Sequence, residues 1–115
     1  MSKTIQTETE TQTENISDSN NDIFTYELKR PVTIGGTEYK KIKLNLNSLT
    51  GDDIASAEIE MTATGHIIAG PAELNKTYLM HISARAAGIP YDVLKQLSIK
   101  DISTITNITQ NFLMQ

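Results

Sequence analysis

Cysteine is absent from this 115-residue sequence, which excludes a disulfide framework and any thiolate metal site. No apolar run approaches the roughly 20 residues that a membrane-spanning helix needs. The start carries one lysine and no hydrophobic stretch of the kind a secretory signal requires, so an unexported intracellular protein is expected. Excess positive charge is missing as well. The net charge of −4 does not suit general nucleic-acid binding. Most of that acidity is local: residues 1–22 hold Lys3 against Glu8, Glu10, Glu14, Asp18 and Asp22, and the remainder is balanced.

Motifs that carry chemistry are also lacking. There is no GxSxG elbow, no phosphate-binding glycine loop and no HExxH pair. The two histidines, His66 and His81, are not at a metal-ligand spacing. His81 reads as a helix-flank histidine making an ordinary hydrogen bond, one turn from Tyr78 and Arg85. Asp52 and Asp53 suit a solvated first helical turn, while Glu58 and Glu60 are two apart and diverge on a helix. No catalytic residue, cofactor or metal ligand is therefore expected, and the protein reads as a non-enzyme.

What is present begins with a tail. Met1 to Asp22 is built from Thr, Glu, Gln, Ser and Asn, with Ile5 and Ile16 its only apolar residues after the start. It cannot bury enough surface to offset the entropy of ordering, so residues 1–22 are expected to be a disordered acidic leader and 23–115 a single domain.

Within that domain, Phe24, Tyr26 and Leu28 alternate with polar residues, and Val32 and Ile34 resume the alternation after Pro31. A proline cannot donate to a ladder, so it marks an edge strand or a bulge. Gly35-Gly36 is a two-residue hairpin signal. The return strand, Thr37 to Asn47, places Ile42, Leu44 and Leu46 inward and Lys41, Lys43 and Asn45 outward. Lys29, Arg30, Lys40, Lys41 and Lys43 outnumber Glu27 and Glu38 here. Lysines that keep an exposed strand edge from pairing explain this better than a nucleic-acid footprint, where six or more phosphate contacts are common.

Thr50-Gly51-Asp52-Asp53 opens a helix that places Ile54, Ala57 and Met61 on one face, with Gly65 as its stop. Residues 54–64 stay open between helix and strand, because Glu58 to Thr62 also alternates. His66 to Pro71 is a loop. The central helix comes next. Leu74, Tyr78, Ile82 and Ala86 recur every four residues, and Met80, Ala84 and Ala87 form a second stripe, so the helix should lie between neighbours. Gly88 supplies a left-handed stop and Pro90 suits the first position of a short helix, Tyr91 to Leu97. Ser98 and Asp101 form an aspartate version of the capping box. The closing helix follows, with Ile102, Ile105, Ile108, Phe112 and Leu113 on one side. The expected fold class is α+β: an N-terminal β-hairpin followed by a small bundle of three to four short helices, with the disordered tail in front.

Tyr78 to Pro90, with the following Leu94, Leu97, Asp101, Ile105 and Phe112-Leu113, resembles the tail assembly chaperones of contractile-tailed phages of the Mu and P2 kind. The upstream Lys29 to Val32 and Leu49 to Asp52 fit the same pattern, so the resemblance covers about residues 26–113. It implies a protein of the host bacterial cytoplasm, absent from the mature virion, that keeps the tape measure protein soluble and assists tail tube assembly. The implied partners are the tape measure and tail tube proteins, with no nucleic acid, membrane or cofactor. The apolar set Ile105, Ile108, Phe112 and Leu113 can serve as core or as a partner-docking stripe, and the two uses can overlap. A structural tail protein retained in the virion and a small nucleic-acid-binding regulator are the competing readings.

Overall fold

The strand alternation and the two glycines produce the hairpin that the sequence implies. In the computed structural model, which describes residues 23–67 and 70–115, β1 (Ile23–Ile34) pairs antiparallel with β2 (Thr37–Asn45). Gly35 and Gly36 take φ of 58° and 84°, the positive pair that a tight two-residue connection between twisted strands requires. The ladder is regular from Ile23↔Asn45 to Glu27↔Lys41, breaks, and resumes at Val32↔Tyr39. Pro31 lies inside the break, as a residue without an N–H should. β2 stops at Asn45, two residues earlier than expected. Leu46–Ser48 turn as a 3-10 segment instead, with Leu46 still buried. The acidic leader lies outside the described residues.

Among the described residues four α-helices follow: α1 (Gly51–Ala63), α2 (Lys76–Ala87), α3 (Tyr91–Gln96) and α4 (Ile99–Leu113). Residues 54–63, open between strand and helix in the sequence, are thus helical. The start is fixed by a reciprocal cap between Thr50 and Asp53, with the Thr50 N–H donating to Asp53 Oδ2 at 2.8 Å. Ala57 and Met61, four apart, are then buried on one side.

The central helix departs from expectation at its beginning. Leu74 belongs to a 3-10 turn, Ala72–Leu74, and is 60% exposed rather than stacked under Tyr78. α2 starts only after Asn75, whose side chain accepts the Tyr78 N–H at 2.9 Å. That cap ends the preceding turn and sets Leu74 outside the helical stripe. At the other end Gly88 is left-handed, φ 69°, and the Ile89 N–H returns to the Ala84 carbonyl. Pro90 is the residue before α3 rather than its first helical position.

α2 lies between neighbours as expected, but Ala86 packs with Ala84 rather than with its stripe partners Tyr78 and Ile82. Ala84 and Ala86 join Leu28, Ile42, Leu44, Leu46, Leu94, Leu97 and Ile105 in one apolar cluster. Tyr78 and Ile82 join Ala57 and Met61 in a second. The hairpin, α3 and α4 thus lie against one part of α2, and α1 lies against another. Burial also raises the Tyr78 phenol above its ordinary range, with the nearby Glu58 and Glu73 carboxylates acting in the same direction.

Candidate docking surface

α4 is the element on which the sequence placed the partner-binding residues, and its packing separates them. Ser98 caps it by accepting the Asp101 N–H at 3.2 Å. The Asp101 side chain does not complete a capping box. It is fully buried and turns to the hairpin, accepting the Tyr26 hydroxyl at 2.7 Å, the Lys29 N–H at 2.9 Å and the Arg30 N–H at 3.1 Å. These N–H groups belong to the broken part of the β1 ladder, so the carboxylate takes the place of the missing strand partner. Burial pushes the Asp101 carboxyl upward. The hydrogen bonds from Lys29, Tyr26, Arg30 and Ser98 outweigh burial and hold it below the ordinary carboxylate range.

A second polar contact fixes α4 on α2. Ser83 and Thr109 are fully buried and share a hydrogen bond of 2.7 Å between their hydroxyls. Lys76 Nζ donates to Thr106 Oγ1 at 3.1 Å, and Gln110 Nε2 donates to the Glu73 carbonyl at 3.0 Å. The threonines thus form a helix–helix seam with α2. Small β-branched residues let the two helices approach closely, and their hydroxyls satisfy one another or the preceding turn.

The four predicted docking residues therefore have different fates. Ile105 is wholly inside the first cluster. Ile108 and Phe112 are half-buried on that cluster's margin, and Leu113 is half-buried against the second. Phe112 and Leu113 meet Leu49 and Ile54 along a groove of about 300 Å³, floored by Leu46 and Ile82. Met114, just beyond, is 60% exposed. The groove lies where the two clusters adjoin, between the start of α1 and the end of α4.

The charged residues are drawn into a lock among α1, α2 and α3. Arg85 Nε donates to Asp53 Oδ1 at 2.9 Å and Arg85 Nη1 to Glu60 Oε2 at 3.2 Å. The Thr50 N–H and then Arg85 hold the Asp53 carboxyl below its usual range. His81 makes the expected ordinary hydrogen bond: its Nδ1 lies 3.1 Å from Glu60 Oε1. The ring is also buried and stacked on Tyr91, with centroids 3.8 Å apart and planes 6° from parallel. The other ring nitrogen, Nε2, has no hydrogen-bond partner among the described residues. Nor do those residues include a group of three His, Cys, Asp or Glu that could hold a metal ion. The hairpin's Lys29, Arg30, Lys40, Lys41 and Lys43 are all exposed, with Lys40 3.9 Å from Glu38.

A small hairpin-and-helix domain with an open apolar groove, in which His81, Asp53, Glu60 and Asp101 are committed to internal bonds, has the properties of a protein-interaction domain. The chain belongs to the family described as phage tail assembly chaperone proteins, E, or 41 or 14, whose model matches residues 25–114. No curated protein and no solved structure matches it. Among the described residues no helix is long and apolar enough to cross a membrane.

Proposed function

We propose that this phage tail assembly chaperone binds the tape measure protein, keeps it soluble in the host cytoplasm and assists assembly of the tail tube around it, without catalysis and without entering the virion. The observation that carries the reading is the groove closed by Phe112 and Leu113 against Leu49 and Ile54. A tape measure protein is long and largely helical, and its apolar stripes associate unless covered. Residues of such a stripe fit an open apolar groove in the helix-in-groove manner. Ile108, half-buried one turn before Phe112, belongs to the proposed seat, and Ile105 supports it from inside the core rather than touching the partner.

The test is co-expression with a tape measure protein from the same phage, followed by separation of soluble and insoluble fractions. Wild type should hold the partner in the soluble fraction and Phe112→Asp should not. Equal rescue by Phe112→Asp would refute the groove as the seat. Mass spectrometry of purified particles should not detect the chain; stoichiometric recovery would favour a structural tail protein.

A further inference from the structure

α1 leaves one side without a covering element. Ala57 and Met61 face α2, and Asp53 and Glu60 turn toward Arg85. On the opposite side Ile59 is 68% exposed. It lies in a shallow groove of about 540 Å³ walled by Ala55, Glu58, Thr62 and Ala63. At the helical pitch, Ala55, Ile59 and Thr62 fall within about 60° of one another, with Asp52 beyond one margin and Glu58 beyond the other. Both acids are exposed. The groove does not end with the helix: Ala63 also walls a second trough, of about 440 Å³, that runs on to Pro90 and Tyr91.

We infer that this face of α1 is a second docking seat, and that its occupant is an amphipathic helix with an apolar stripe flanked by lysine or arginine. Charge decides the occupant. α1 contains Asp52, Asp53, Glu58 and Glu60 and no basic side chain, so an acidic margin borders the apolar strip on both sides. A second copy of this chain fits poorly, because α1 has no basic side chain and a two-fold pairing would bring two acidic rims together with no opposite charge to match them. A basic helix places opposite charges at the rim, which orients it and speeds its encounter. Meanwhile Ala55, Thr62 and Ala63 let its backbone come close to Ile59. The inference rests on the reading that the chain covers a helical protein partner, and it adds a separate seat chosen by charge.

The probe is a helical peptide of about 18 residues, five turns, with leucine on one face and lysine at its margins, compared with a glutamate counterpart. Binding to the full chain is followed by fluorescence anisotropy. The lysine peptide should bind at least about tenfold more tightly than the glutamate peptide, a difference of about 1.4 kcal/mol. Ile59→Asp should weaken the lysine peptide by a similar factor at an unchanged melting temperature. It adds a negative charge, so the loss reports the apolar seat rather than general attraction. Asp52→Lys with Glu58→Lys should reverse the preference between the two peptides. The inference is overturned if Ile59→Asp binds the lysine peptide as wild type does, or if the double charge change leaves the preference as it was. No tape measure protein enters this assay. A chain that binds the peptide normally yet leaves its tape measure insoluble counts against the proposed function, and not against this seat.

Discussion

Asp101 on α4 and Tyr26 on β1 share a hydrogen bond of 2.7 Å across 75 residues of sequence. The same carboxylate holds the Lys29 and Arg30 N–H groups, which have no partner on β2. Asp101 thereby stands in for two rungs of a ladder, and the phenol of Tyr26 is raised above its ordinary range, first by that bond and then by burial.

Asp101→Asn should therefore destabilise the domain by about 1–3 kcal/mol, because an amide turns a donor toward donors already buried. Urea melts over a pH series check both size and sign. The folded carboxyl lies below its unfolded value, near pH 3.9, so its contribution is complete above that value. It is lost as pH falls through the lower folded value. The mutant should show a shallower acid limb that keeps the part due to Asp53, which is lowered in the same direction. Parallel curves for mutant and wild type would show that Asp101 is not ionised in the fold.

Gly88→Val should cost on the order of 1–3 kcal/mol, the range for a strained backbone site. A Cβ at this position meets nothing within 4 Å, so the loss would come from the left-handed φ of 69° and not from a clash. Gly88→Asn, which tolerates that conformation, should recover most of the melting temperature. Equal losses for Asn and Val would point to another cause.

How far these features could be read beforehand follows from the reach of their partners. Gly35-Gly36, the Thr50–Asp53 cap and the Gly88 stop are completed within a few residues, and the sequence displays all three. Ser98 was legible as a cap for the same reason. Asp101 was not legible as the clasp of the hairpin, because its local position, three residues after a serine, offered a nearer explanation than partners about 70 residues away. The seam threonines were hidden differently: Thr106 and Thr109 look polar in a sequence, and only the apposed Ser83 and Lys76 make them interior. Leu74 shows the converse error, a periodic match cut off by the Asn75 cap. In the groove, Phe112 and Leu113 stood out as an apolar pair, but Leu49 and Ile54 come from a distant turn and helix.

The Ser83–Thr109 bond makes a third test. Thr109→Val leaves the Ser83 hydroxyl only the Leu79 carbonyl, and Ser83→Ala removes the partner of the buried Thr109 hydroxyl, so each should cost about 1 kcal/mol. The double mutant should be less damaged than the sum of the two. A coupling near zero in that cycle would mean that the hydroxyls bond elsewhere.

Ile105→Ala and Phe112→Asp should separate core from surface on the same helix. Ile105, wholly buried, should cost about 2–5 kcal/mol. Phe112 is half-buried at the chain's end and should cost roughly 1 kcal/mol, a part of the value for complete burial. Thermal melts of the two purified proteins decide it. If Phe112→Asp melts lower than Ile105→Ala, the end of α4 is held more firmly than its middle.

The division of the interior between two faces of α2 bears on the order in which the molecule comes apart. α1 is held through Ala57 and Met61 and a rim of ion pairs, whereas the hairpin, α3 and α4 interlock around Ile42, Leu94 and Ile105. A transient opening can release α1 as a unit while α2 keeps its other wall. Amide protons of residues 54–63 should then exchange with solvent ahead of those in β2 and the middle of α4. Such a protein would meet a partner with one element already loosened and the remainder still a rigid frame.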